Sequence, residues 1–171
     1  MALARAYKVG VFDTATPLAT GASVNTTTPT PILFGVTVAT ADCNISAVRG
    51  SVLGAAAFPS NASVLLSLNI VTGTQAGGNA AVSNQLSGVV LASNTTFLTG
   101  GGTGAAAVTG LTLGKILWSQ EIPLTAGSNW GEWFTPGFEI NIAVSTKFAL
   151  YITPSSAPSA NTFTGEIEFT E

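Results

Sequence analysis

Eight carboxylates, one thiol and no imidazole make up the acid–base inventory of this 171-residue chain. The carboxylates are Asp13, Asp42, Glu121, Glu132, Glu139, Glu166, Glu168 and Glu171. Without histidine the usual general base near neutral pH and the commonest metal ligand are both missing. Cys43 has no histidine to activate it as a nucleophile, and zinc sites built from Cys and His are out of reach. A glycosidase needs only two carboxylates. Glu132 and Glu139 are the candidates, because they lie beside the tryptophans, Glu132 within the aromatic stretch "SNWGEWFTPGF" at 128–138 and Glu139 directly after it. Glu139, however, falls on the polar side of an alternating segment, where a solvated charge belongs. Asp13 and Asp42 are isolated, and calcium loops need clustered acidic oxygens. "GLTLGKI" at 110–116 echoes a phosphate loop, but its glycine spacing is one short and Ile116 stands where Ser or Thr is required. "GGGTG" at 100–104 has no strand-to-helix context. The expectation is a protein with no enzymatic activity, no metal and no cofactor.

The aromatic stretch holds two of the three tryptophans and two of the nine phenylalanines. It has three readings. The rings plug the core or one end of a sandwich, with Pro136 and Gly137 forming a type II turn or bulge. Alternatively Trp130, Trp133 and Phe134 anchor a subunit interface, where tryptophan is enriched among energetic hot spots. In the third reading they form a platform for stacking sugars, with Glu132 and Asn129 as polar partners. Trp130, Trp133 and Phe134 are the candidate interface residues.

Composition narrows the function by exclusion. Only 8% of residues are charged, the net charge is −3 and mean hydropathy is +0.48. Mixed surface charge keeps folded domains apart. The scarcity therefore points either to a surface covered by other chains or to one made soluble by Ser, Thr, Asn and Gln. The five basic residues, Arg5, Lys8, Arg49, Lys115 and Lys147, are scattered. Nucleic-acid binding relies on clustered cations, so no nucleic-acid partner is expected. No run reaches the ~18 apolar residues of a spanning helix, so no membrane partner is expected. The segment "MALARAYKVGVFDT" lacks the apolar region of a signal peptide. The sequons at Asn25, Asn44, Asn61 and Asn94 then read as chance occurrences. With one cysteine no internal disulfide forms, and Cys43 reads as a small buried hydrophobe.

The elements that must position these residues are strands. Gly and Pro together number 27, and Thr, Val and Ile are frequent, which disfavours long helices. Alternation places Phe163, Ile167 and Phe169 on one face of "NTFTGEIEFTE". The same rule aligns Phe138, Ile140, Ile142 and Val144; Phe148, Leu150 and Ile152; and Ile116, Trp118, Ile122 and Leu124. It also aligns Val64, Leu66, Leu68 and Ile70, and Ile32, Phe34, Val36 and Val38. Weaker strands are predicted at 6–12, 44–54 and 85–93. Loops are predicted at 72–84, 98–110 and 153–161. Eight or nine short strands with turn-rich links define an all-β, antiparallel β-sandwich of jelly-roll type. An immunoglobulin-like sandwich is the alternative, but its Cys…Trp…Cys framework is absent. Residues 13–31, rich in Thr and Pro, read as an extended N-terminal arm. The chain thus divides into an N-terminal strand and arm at 1–31 and one sandwich at 32–171.

The last 41 residues, "GEWFTPGFEINIAVSTKFALYITPSSAPSANTFTGEIEFTE", resemble the C-terminal strands of small all-β virion proteins of tailed bacteriophages. Decoration, or cement, proteins are the nearest group. The Ala/Gly/Thr/Ser-rich, His-free composition is similar to that class. The resemblance implies a structural virion protein, often a homotrimer, that binds the major capsid protein or another virion protein on the outer capsid surface and stabilises it. It implies no catalytic residues. A carbohydrate-binding or receptor-binding sandwich, such as a tail tip, spike or lectin-like module, is the alternative function.

Overall fold

A computed structural model describes residues 5–10, 22–24, 27–53, 62–86, 93–100, 108–125, 127–156 and 161–171. Thirteen strand segments occur among them, twelve of three residues or more. In chain order they are β1 (Ala6–Gly10), β2 (Ala22–Val24), β3 (Thr30–Val36), β4 (Cys43–Leu53), β5 (Ser63–Ala76), β6 (Asn79–Ala81) and β7 (Asn84–Gln85). There follow β8 (Thr96–Thr99), β9 (Thr109–Pro123), β10 (Asn129–Trp133), β11 (Ile140–Ile142), β12 (Lys147–Pro154) and β13 (Asn161–Thr170).

The strands form two antiparallel sheets. The first runs β10-β4-β13-β1-β7, with β11 continuing β10 along β4 and β2 pairing with β13. The second runs β6-β8-β3-β12-β5-β9. Eight principal strands pair from the outside of the chain inward: β1 with β13, β3 with β12, β4 with β10, and β5 with β9. A long hairpin wound around a barrel-like sandwich gives this pairing, so the fold is a jelly roll.

The count exceeds the expected eight or nine because of three additions. β10 and β11 are one outer strand interrupted by a turn. β2 adds to β13. The segment between β5 and β9 supplies β6, within the predicted loop at 72–84, β7 at its end, and β8, which runs into the predicted loop at 98–110. β7 covers β1 and β8 covers β3, so two sheet edges are hydrogen-bonded rather than open. Of the predicted N-terminal arm, residues 22–24 are β2 and Thr30–Pro31 belong to β3. Residues 13–21 and 25–26 lie outside the described residues, as do 11–12 and 87–92 of two predicted strands.

The core lies between the sheets. Phe148, Leu150 and Ile152 of β12 meet Phe163, Ile167 and Phe169 of β13, all fully buried. Phe97 joins the sheets, edge-on to Phe148 at 5.9 Å and tilted against Phe169 at 5.1 Å between ring centroids. Three alternation patterns break. Ile32 faces this core, but Phe34 and Val36 join a second cluster with Val71, Ala149 and Tyr151. The β3–β12 register slips between Leu150 and Tyr151, which flips the side-chain alternation. Ile116 is exposed although Trp118, Ile122 and Leu124 are buried; the β5–β9 register slips between Leu68 and Asn69. Phe138 and Val144 are exposed because strand pairing in β11 spans only Ile140–Ile142.

Candidate functional site

The aromatic stretch forms most of the outer strand of the first sheet, and its residues part company. Pro136 and Gly137 occupy the middle of a turn in which the Phe138 N–H donates to the Thr135 carbonyl at 2.8 Å. Gly137 has φ 89°, as a type II turn requires. The Glu139 carboxylate accepts from the Gly137 N–H at 2.7 Å and steadies that turn. Trp130 turns inward. It is 5% exposed, and its ring stacks on Trp118 at 6.3 Å. Trp118 donates from Nε1 to Glu132 Oε2 at 2.6 Å, which ties β9 to β10 across the open side of the sandwich. Both glutamates beside the tryptophans are thus engaged in structural hydrogen bonds. Phe134 is half-buried against the core, and Trp133 is 62% exposed. The three candidate interface residues therefore occupy three different environments.

Trp133 belongs to a polar array on the outer face of the first sheet. Strand register arranges it in three rows. Asn129, Ser51 and Thr164 form the first. Gly131, Arg49, Glu166 and Gly10 form the second. Trp133, Ala47, Glu168 and Lys8 form the third. Arg49 is the centre. Its Nε donates to Glu166 at 2.7 Å, its Nη2 pairs with Glu168, and its guanidinium lies 4.6 Å from the Trp133 ring centroid. Lys8 pairs with Glu166 at 2.8 Å. Two cations and two anions meet, so the array has no net charge. Four of the chain's 13 Asp, Glu, Lys and Arg residues sit in this one cluster.

Glycine in the second row leaves the face concave. A groove of about 420 Å³ lies among Lys8, Arg49, Ser51, Asn129, Thr164 and Glu166. Trp130 and the paired glycines Gly50 and Gly165 also line it. A second depression of about 300 Å³ shares Arg49, Asn129 and Trp130 and extends to Gln120 and Trp133. The Trp130 Nε1 is buried without a hydrogen-bond partner among the described residues. Alternation alone does not reveal this array. Its members are ordinary polar-parity residues until the register of four strands is known.

Among the described residues no group of three or more His, Cys, Asp or Glu side chains could hold a metal ion. No helix among them is long and apolar enough to cross a membrane. Cys43 is fully buried. Burial pushes its thiol up to about 12 from 9.0; the nearby Glu171 carboxylate adds to the rise, and a hydrogen bond with Thr95 opposes it. Burial also raises the Tyr151 phenol. Both acids ionise earlier in the unfolded chain than in the folded one. Between 9.0 and about 12 the unfolded state therefore holds fewer protons, and stability falls as pH rises through that window. Urea unfolding compared at about pH 8 and about pH 10 is expected to show this loss, and Cys43→Ala is expected to reduce it. An equal loss in the variant assigns the alkaline sensitivity to other groups.

No family model, no curated protein and no solved structure matches this chain.

Proposed function

We propose that the chain is a structural virion protein of the decoration type, a jelly-roll module that oligomerises and binds the outer surface of a capsid. The observation that carries the reading is Phe138. It is 78% exposed at the last position of a hydrogen-bonded turn, in a chain whose surface has few charges to keep partners away. Val144 is exposed at the other end of β11, and Ile140 between them is half-buried. Phe134, half-buried against the core, and Trp133, exposed, immediately precede the turn in the chain. A turn fixed by Pro136, Gly137 and the Glu139 carboxylate presents the ring with little conformational freedom to lose on binding. The major capsid protein or another virion protein is the partner, and a homotrimer is the favoured oligomer.

The test begins with intact virus particles. The chain should co-purify with them in stoichiometric amount and be released before the capsid opens. Light scattering of the free protein should give a mass of three chains. Phe138→Ala is expected to weaken particle binding by about tenfold or more, with the thermal midpoint retained because the ring contributes little to the core. Purified particles that lack the chain, or a Phe138→Ala protein that binds them unchanged, would overturn the assignment.

A further inference from the structure

We infer that the groove on the outer face of the first sheet is a binding site for a neutral saccharide. The reading is independent of the capsid contact. It uses the face of β4, β13 and β1 together with β10, not the turn that carries Phe138.

Three observations point to this ligand class. The first is charge. Arg49 is paired with Glu166 and Glu168, and Lys8 with Glu166, so among the described residues the groove holds no uncompensated cation for a phosphate or carboxylate. Among them it holds no uncompensated anion for a metal or an amine either. The second is hydrogen-bonding character. Asn129 offers both donor and acceptor, as does the Ser51 hydroxyl, which lies 3.0 Å from Thr164 Oγ1; that oxygen also accepts from the Ser51 N–H at 2.7 Å. Beside them lie the Arg49 and Lys8 donors and the Glu166 acceptor. A ligand that fits this wall donates and accepts at closely spaced positions, as adjacent hydroxyls on a pyranose ring do. The third is the aromatic border. Trp133 keeps 62% of its surface in solvent while Arg49 lies over its ring. The salt-bridged guanidinium limits the ring's movement, and the exposed part of the indole is available to the apolar C–H face of a sugar.

The dimensions agree. A volume of about 420 Å³ falls within the range of small-molecule sites and accommodates one or two sugar rings. The depression toward Gln120 and Trp133 continues the groove, which suits a chain rather than a single ring. Gly10 lines the groove and Gly131 the adjoining depression, at the two ends of the Arg49 row, and a Cβ on Gly131 would run into the Arg49 side chain and the Val48 carbonyl.

The experiment titrates the full chain with maltohexaose, cellohexaose and mannohexaose, and with sialyllactose as the anionic probe. Backbone amide shifts and tryptophan fluorescence are followed. At least one neutral probe is expected to give saturable shifts confined to Gly50, Ser51, Asn129, Gly131 and Thr164. Trp133→Ala and Asn129→Ala, both at exposed positions, are each expected to weaken that binding by about tenfold with an unchanged thermal midpoint. The inference is overturned if no neutral probe moves these amides at millimolar concentration. It is equally overturned if sialyllactose alone binds, or if both variants bind as the parent does. Capsid binding is measured separately through Phe138→Ala, so either reading can fail without the other.

Discussion

Trp130→Ala is expected to lose ~3–5 kcal/mol of folding stability, and Trp133→Ala less than ~1 kcal/mol, although the two residues lie three positions apart on one strand. The difference follows from where each ring sits. Trp130 is in the main core cluster, stacked on Trp118 and lying over Gly50, whose missing side chain makes room for it. Its removal leaves a cavity beside a backbone that cannot collapse, because β4 is hydrogen-bonded to β13 on one side and β10 on the other. Trp133 makes one cation–π contact at the surface. Chemical unfolding of the two variants in parallel measures both numbers. A steep loss in both would mean that Trp133 is a structural plug, and would remove it from the groove border. A small loss in both would mean that the Trp118–Trp130 stack contributes little to the fold.

Seven of the eight principal strands were legible in the sequence; β10 was not, because Trp130 and Trp133 fall on opposite parities and show no alternation. β12 and β13 are the clearest cases: Phe148, Leu150, Ile152, Phe163, Ile167 and Phe169 all face the core as alternation requires. The assignment failed at Ile32 and Phe34, and at Ile116, because a register slip reverses every side chain beyond it and leaves no mark in residue type. Phe138 and Val144 failed for another reason. They continue an alternating pattern past the point where strand pairing stops. The Pro-Gly turn was legible, since only a few residue pairs suit its backbone. The groove was not. Arg49 and Glu166 are 117 positions apart, and only the register of β4 on β13 sets them face to face. Nor does sequence reveal that one tryptophan of "NWGEW" is buried and another exposed. Three positions apart on one strand they point to opposite faces, and which of them faces the core depends on the register of β10 on β4.

Phe148→Ala is expected to cost ~3–5 kcal/mol, and its combination with Gly35→Ala is expected to cost less than the sum of the two single changes. Phe148 lies opposite Gly35 in the β3–β12 pairing, and its ring fills the space a side chain there would occupy. A Cβ on Gly35 would stand 2.4 to 2.9 Å from three ring carbons, so Gly35→Ala alone forces the ring out of place. Crowding of this kind costs ~1–3 kcal/mol. The three nearest atoms all belong to the far end of one side chain. Once that end is cut away, the added methyl loses these clashes and fills part of the cavity. Gly50 is the internal control. A Cβ there would meet the Thr164 carbonyl oxygen at 2.1 Å as well as the Trp130 ring. Trimming Trp130 leaves the backbone clash in place, so Gly50→Ala and Trp130→Ala should show no comparable relief. Unfolding free energies for the two double-mutant cycles decide the matter. Additive costs at Gly35 and Phe148 would show that the strand pair moves apart to admit the methyl, and that the glycine is not there to seat the ring.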